Sequence, residues 1–267
     1  MPRPRSGMLA QLWRHRRYIL GGALVELRQR YAGSAVGILW HVVTPLTQIL
    51  LYGIVFSQLL RERGGARGET HYAVFLCAGL LPWFVFAESI TRGSGVLLAS
   101  ETYLKKLPIP EVVFVAQSVA TSAFTLGIYA AALFVMAAAS GISPTTSWLL
   151  LPPVLLLFLG LCFGFALILS TLAVFFRDVV QVTGIASQVW FWITPIVYDM
   201  SVLRPGLRRV VEWNPPSAYI LSIRDIVLRG IAPSPERWVW MAAFSVGFVA
   251  LGALILGRLR SDLRDAL

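Results

Sequence analysis

Residues able to do chemistry are sparse in this chain and do not gather into one site. The three histidines, His15, His41 and His71, are widely separated, and no Cys/His cluster has metal-ligand spacing. Cys77 and Cys162 lie in different apolar runs, where packing is the expected role rather than a disulfide or a metal pair. The acids Glu88, Glu101, Glu111 and Asp178 show no spacing that suggests shared acid–base work. No GxxxxGK[ST] run offers a phosphate-cradling loop, so the chain is not expected to hydrolyse nucleotide itself. Carboxylates deep in the apolar runs are almost absent, which argues against a proton- or sodium-coupled carrier. Any work this chain does must draw energy from elsewhere, and no cofactor is expected in it.

What remains is charge and aromatic surface at particular places. Arg28 and Arg30 precede the first apolar run and could attract a lipid-borne diphosphate by charge-assisted hydrogen bonds, or simply snorkel to the headgroups. In 96–106, leucines and Tyr103 interleave with Glu101, Lys105 and Lys106 before Pro108 and Pro110 stop the helix. That pattern is a short amphipathic helix suited to docking a partner, or else a second interfacial helix. Arg177 and Asp178 stand together at a helix end, where opposite charges lower each other's cost near lipid. Trp83, Phe84 and Phe86 in one run, and Trp190, Phe191, Trp192 and Tyr198 in another, lie too deep for an interfacial belt. They either pack against neighbouring helices or line a route for a substrate with apolar faces, such as sugar rings. Trp40, Trp148, Trp238 and Trp240, near run ends, fit the belt.

The elements that must position these groups are membrane helices. Of the 267 residues 57% are hydrophobic and 13% charged, and the mean hydropathy is +0.72, so a soluble domain is excluded. Apolar runs at about 38–60, 72–90, 112–139, 148–176, 182–200 and 238–257 give six crossings. The fifth, interrupted by Pro195, is the least regular. The first 37 residues hold seven arginines against the single acid Glu26, which sets both termini in the cytoplasm. The net charge of +10 is then accounted for by cationic membrane-facing ends, with no nucleic acid required. The expectation is an all-α integral membrane protein: an N-terminal interface helix in 1–37, a six-span domain over 38–257 and a cytoplasmic tail over 258–267. Gly21 and Gly22 are expected to bend or break the interface helix, and the small residues Ala32, Gly33, Ser34, Ala35 and Gly37 to let the chain turn into the bilayer. The cytoplasmic loop is 91–111. In the outer segment 201–237, Trp213 ends one short helix, while Asn214 as N-cap, Pro215 and Tyr219 begin another that rests on or dips into the outer leaflet.

The run RYAGSAVGILWHVVTPLTQILLYGIVF resembles the opening of permease subunits of type-2 ATP-binding-cassette exporters of O-antigen, teichoic acid and capsule. Arg30, Tyr31, Gly33, Ser34, Gly37, Trp40 and Pro45 carry that likeness. Lys105, Lys106, Pro108 and Pro110, the FFRD at 175–178, WITPIVY at 192–198 and NPPSAYILSIRD at 214–225 extend it in order along nearly the whole chain. Leu107 and Ile109 stand where the family often has a bulky aromatic. The resemblance implies a homodimer in the inner membrane, working with two copies of a separate ATPase that binds ATP and Mg. It implies that the N-terminal helix and the 92–110 loop touch that ATPase, and that 201–237 forms gate helices over a channel for a lipid-linked polysaccharide. A permease for drugs or small lipids with the same architecture is the alternative, and a membrane glycosyl- or acyltransferase is a more distant one.

Overall fold

The structure, a computed structural model, describes residues 7–29 and 37–266; side chains at 38, 41–42, 44–45, 49, 52–71 and 264–265 are outside that description. Arg30, Tyr31, Gly33, Ser34 and the small-residue turn at 32–35 are therefore outside the described residues, as is the Pro45 side chain. The described chain is helical throughout, with no strand. Its helices are α1 (Met8–Arg14), α2 (Arg16–Gln29), α3 (Trp40–Ala99), α4 (Glu101–Lys106), α5 (Glu111–Ala139), α6 (Leu151–Phe175), α7 (Asp178–Ile193), α8 (Pro205–Glu212), α9 (Pro215–Arg224) and α10 (Pro235–Ala266). Proline within the first turn opens α6, α8, α9 and α10, where its missing N–H costs no hydrogen bond.

Four segments are long and apolar enough to cross a membrane: Tyr72–Ala99, Glu111–Ala139, Thr146–Phe175 and Pro235–Leu263. They match the second, third, fourth and sixth runs. The first two runs are carried by the single helix α3, 60 residues long, rather than by two helices parted at 61–71. A helix closes its backbone hydrogen bonds internally, so the glycines and charges of that stretch do not have to break it. The fifth run also differs from expectation. Its helix, α7, starts at Asp178 and ends at Ile193, 16 residues and roughly 24 Å, short of the ~30 Å hydrocarbon core. Pro195 is the cause: it bars its predecessor from helical geometry, and Thr194 is extended at φ −83°, ψ 138°.

The N-terminal segment is corrected at one point. Gly21 and Gly22 stay inside α2, and the break falls earlier, at His15 between α1 and α2. Gly22 instead provides proximity, since a Cβ there would lie 2.6 Å from the Gln117 side chain of α5. Ile19, Ala23 and Leu27 form the buried face of α2 against α5. Thus α2 packs on protein along one side, leaving Leu20, Leu24 and Val25 exposed.

Helix α6 is the centre of the bundle, packed on α10 and α3, and α5 packs on α3 and also touches α6. The contact of α6 with α10 depends on Gly164, where even a methyl group would fall 2.6 Å from the Phe248 backbone carbonyl carbon. Only glycine allows the two backbones to come this near, as small residues do in membrane helix pairs.

Side-chain pairs define two ends of the bundle. At one, Glu26 of α2 pairs with Arg92 of α3, and Arg260 of α10 pairs with Glu111 at the start of α5, at 2.9 Å each. At the other, the Ser147 hydroxyl donates to the Gly230 carbonyl at 2.6 Å, and the Tyr72 hydroxyl to that of Val197 at 3.2 Å. The first helices and the end of the last helix therefore meet at the same end.

Candidate functional site

The first end carries the charged and exposed residues singled out above. Helix α4 leaves α3 through a single residue, Ser100, and stops at Leu107, which is extended ahead of Pro108. Within α4, Lys105 bonds Glu101 at 2.6 Å across one helical turn. That hydrogen bond, with the Lys105 charge and the more distant Arg177, holds the Glu101 carboxyl below its usual range. Tyr103 points outward, 56% exposed, beside exposed Lys106 and Leu107, so α4 presents one aromatic ring among paired charges. Pro110 supplies the extended residue before α5. Arg177 and Asp178 form the corner where α6 ends and α7 begins, with Asp178 in the first turn, where the helix dipole favours an acid. Arg28 lies on the exposed side of α2.

Behind this surface is a polar junction. Arg92 contacts Glu26 at 2.9 Å and Glu88 at 3.4 Å, and donates to the Ser118 carbonyl at 2.6 Å and the Ser122 hydroxyl at 2.8 Å. Glu26 also accepts from Thr121 at 3.1 Å. One guanidinium therefore ties α2, α3 and α5 together, and its Nε–H is buried with no partner. Arg92 did not stand out in the sequence. The available signal was its place four residues after Glu88 on an otherwise apolar helix.

Between the two ends runs an aromatic column. Trp83 contacts Phe86 at 5.5 Å and Phe191 at 5.9 Å; Phe86 meets Trp190 at 5.2 Å and Phe165 at 5.6 Å; Phe165 stacks on Phe248 at 4.1 Å. Offset and edge contacts of this kind pack α3, α6, α7 and α10 together. Trp83, Phe86 and Phe191 are buried within this one subunit, and Phe84 and Trp190 are partly buried. Trp192 differs, 60% exposed and set edge-on against Phe191 at 5.2 Å. The Tyr198 hydroxyl turns back onto the open end of α7 and donates to the Ile193 carbonyl at 2.9 Å.

At the second end the segment 194–230 folds over α3 and α7. Asn214 was expected to cap α9, yet its side chain makes no cap hydrogen bond. Its amide works inside the fold, accepting from the Trp190 indole at 2.6 Å and donating to Thr194 at 2.9 Å and Ser217 at 3.0 Å. Buried without partners, such an amide would cost several hydrogen bonds, so Trp190 and Thr194 account for it better than a cap. Pro215 begins α9 as expected. Tyr219 is fully buried, with its hydroxyl on the Met241 carbonyl and Ser245 at 2.6 Å each, joining α9 to α10. Trp213 remains 63% exposed.

Arg224 is the site residue that sequence reasoning missed. It is 5% exposed and donates to the carbonyls of Phe75 at 3.2 Å, Pro195 and Ile196, while its guanidinium lies 3.5 Å from the Phe75 ring centroid. Burial pushes its pKa below the ordinary arginine value, and Asp199 opposes that shift. The signal in the sequence was a lone arginine inside the stripe Ile220, Ile223, Val227. Burial alone would raise the Asp199 carboxyl, but Ser201 hydrogen bonds and the Arg229 charge bring it below its ordinary value. A π-helical turn, Asp225–Arg229, ends at Gly230 in left-handed geometry, φ 66°, where a Cβ would meet Thr145 at 2.9 Å.

The ABC-2 type transporter family model matches residues 24–228, from α2 through the π-helical turn. The O-antigen export system permease protein RfbA of Klebsiella pneumoniae is 30% identical over 210 residues, 77% of this chain and 78% of that one. The protein of the same name from Myxococcus xanthus is 25% identical over 262 residues, covering 97% and 99%. The polysialic acid transport protein KpsM of Escherichia coli is 21% identical over 240 residues, covering 90% and 92%. The matched region takes in three of the four crossing segments, the charged end formed by α2, α4 and the α6–α7 corner, and most of the segment folded over the other end, and the chain belongs to the ABC-2 type transporter family of membrane proteins.

Proposed function

We propose that the chain is the channel-forming permease subunit of an ATP-driven exporter that moves an undecaprenyl-linked polysaccharide, of the O-antigen, capsule or teichoic-acid kind, across the cytoplasmic membrane. The observation that carries this reading is the nearly end-to-end likeness to a permease named for O-antigen export. The working unit is a homodimer with the termini of both subunits cytoplasmic, joined to two copies of a separate ATPase that binds ATP and Mg. Helix α4 is the docking element for that ATPase, with Tyr103 as its aromatic anchor and Glu101, Lys105, Lys106, Pro108 and Pro110 shaping it; an exposed ring among charges supports this role. The α7 corner at Arg177 and Asp178 flanks it. Trp192 and Tyr198, at the open end of α7, are the aromatics best exposed to offer a sugar ring a stacking surface on the path between subunits. Trp83, Phe84, Phe86, Trp190 and Phe191 hold α7 in place behind them. Trp213, Asn214, Pro215 and Tyr219 belong to the outer gate.

The test is to delete the gene in its own host and locate lipid-linked polysaccharide, with an ATPase-dead partner as a parallel strain. Polymer retained in the cytoplasm in both strains is the expected result. Polymer reaching the surface normally would refute the reading and favour a drug or small-lipid exporter. Arg28 and Arg30 are proposed to attract the carrier diphosphate at the cytoplasmic interface. The double change Arg28→Ala and Arg30→Ala is expected to lower export several-fold at normal protein level; undiminished export would remove that role.

A further inference from the structure

The segment that covers the second end of the bundle forms an open cavity of ≈ 510 Å³. Its size is within the ~300–1,000 Å³ of small-molecule sites. The walls come from the irregular stretch after α7, from α8 and α9, the π-helical turn and the start of α10, with Phe75 of α3 behind them. Two features of the wall bear on what it accepts.

The first is aromatic. Trp213 lines the cavity and leaves 63% of its surface open. It is held at the rim by Trp240, whose ring meets it nearly edge-on at 4.5 Å, and Trp240 in turn stacks on Phe244 at 5.7 Å. A tryptophan held this way is a firm, flat platform, which loses little freedom when a ligand covers it. A headgroup belt would put the ring against lipid alone, whereas Trp213 shares its cavity with ionised side chains.

The second feature is charge. Four arginines line the cavity, Arg208, Arg224, Arg229 and Arg237, against four carboxylates, Asp199, Glu212, Asp225 and Glu236. The arginines are engaged within the wall: Arg208 on Glu212 at 3.0 Å, Arg229 on Asp225 at 3.0 Å and Asp199 at 3.5 Å, Arg237 on Asp225, and Arg224 on the three backbone carbonyls. An anion entering finds the arginine charge already balanced within the wall, four against four, and faces the carboxylates as well. Hydroxyl groups, which both donate and accept, can instead bond to the outer edges of the existing pairs without breaking them.

The geometry points to a saccharide subsite for uncharged sugar residues at this end of the bundle, with Trp213 under a ring's C–H face and the paired charges on its hydroxyls. The inference rests on the polysaccharide-export reading and adds to it a place and a class of sugar. Because the walls are held by pairs that do not depend on the ligand, binding is shallow and rapid, suited to a polymer that must pass on.

The permease and its ATPase partner, reconstituted together in lipid nanodiscs, would be titrated by calorimetry with maltoheptaose, and separately with an oligogalacturonate of equal length as the anionic counterpart. Saturable heat from maltoheptaose, with none or weaker from oligogalacturonate, is expected. Trp213→Ala should weaken maltoheptaose by about tenfold or more, and Trp213→Tyr should restore most of it. The proposal is overturned by absence of saturable heat with maltoheptaose, by tighter binding of oligogalacturonate, by a heat that follows the lipid composition of the nanodisc rather than the sugar, or by undiminished binding in a folded Trp213→Ala protein. The comparison of the two sugars on the native chain decides the matter even if that variant does not fold. In parallel, the native gene is returned to the deletion strain. Restored surface polysaccharide alongside failed binding discards the subsite alone, while normal surface polysaccharide in the deletion strain itself discards the export reading.

Discussion

Replacing Arg224 by Met is expected to cost on the order of 3–5 kcal/mol of stability, more than any change to an exposed charge on this chain. The side chain is 5% exposed and bonds to the carbonyls of Phe75, Pro195 and Ile196. The carbonyls of Pro195 and Ile196 have no helical partner to fall back on, because Pro195 ends α7 and the following residues are extended or bent, whereas Phe75 sits within α3. Each buried carbonyl left without a donor costs about 1–3 kcal/mol. Lysine should not rescue: it is a compact point charge and cannot reach three oxygens in one plane as a guanidinium fork does. The measurements are the thermal midpoint of the purified protein and its sensitivity to trypsin at Arg204, Arg208 and Arg209, which lie in or next to the exposed α8. Both should change in Arg224→Met and in Arg224→Lys. An Arg224→Met protein with native midpoint and native cleavage rate would mean that the segment 194–230 is held by Tyr219 and Asn214 without the arginine clasp.

Arg224 also shows where the sequence stopped being informative. The helix start at Pro215, the stop of α4 before Pro108 and Pro110, and three of the crossings over their full length follow from local chemistry and apolar length and stand in the structure close to where the pattern puts them, while residues 96–99, read as part of the short helix in the loop, belong to α3. The apolar stripe of α9 was legible too. Its embedded arginine was not, because a stripe tells which face is inward but not what polar partners await there. Asn214 is the same case in reverse. A residue ahead of Pro215 has the composition of an N-cap, and only the tertiary position of Trp190 and Thr194 draws its amide inward. Gly21 and Gly22 look like a hinge by propensity, yet α2 stays whole because Ile19, Ala23 and Leu27 bury against α5, and Gly22 lets Gln117 come near. The aromatics of 83–86 and 190–192 were open between packing and lining. Phe86 and Trp190 meet Phe165, and Phe86 also meets Phe158, contacts that pack the buried members within this subunit, and exposure alone sets Trp192 apart.

The second large effect is expected at Arg92. With Arg92→Met, the carboxylates of Glu26 and Glu88 lose the cation that separates them, and the Ser118 carbonyl loses a donor. The partners are a fifth to a third exposed, so water screens part of the loss, and the cost should be about 2–3 kcal/mol rather than the full value of a buried pair. Glu26→Gln alone should cost less, about 1 kcal/mol, because its amide oxygen can still accept from Arg92 while its NH2 group can donate to the Thr121 hydroxyl. The informative protein is the double variant. If the ion pair is what fastens α2 to α3, Glu26→Gln combined with Arg92→Met will be less damaged than the two single losses added together, by about 1 kcal/mol or more in the unfolding free energy. Simple additivity would show that Arg92 acts through the serine contacts of α5 and that α2 is held only by its apolar face. The outcome bears on how motion could pass through the subunit. Helix α2 reaches α3 by charge and α5 by packing, and α3 runs on directly through Ser100 into α4, so a push on α4 has a continuous helical path to the same guanidinium. A coupled pair there means that α2 and α3 move together, and an uncoupled one leaves α2 free to slide on α5 while α3 shifts.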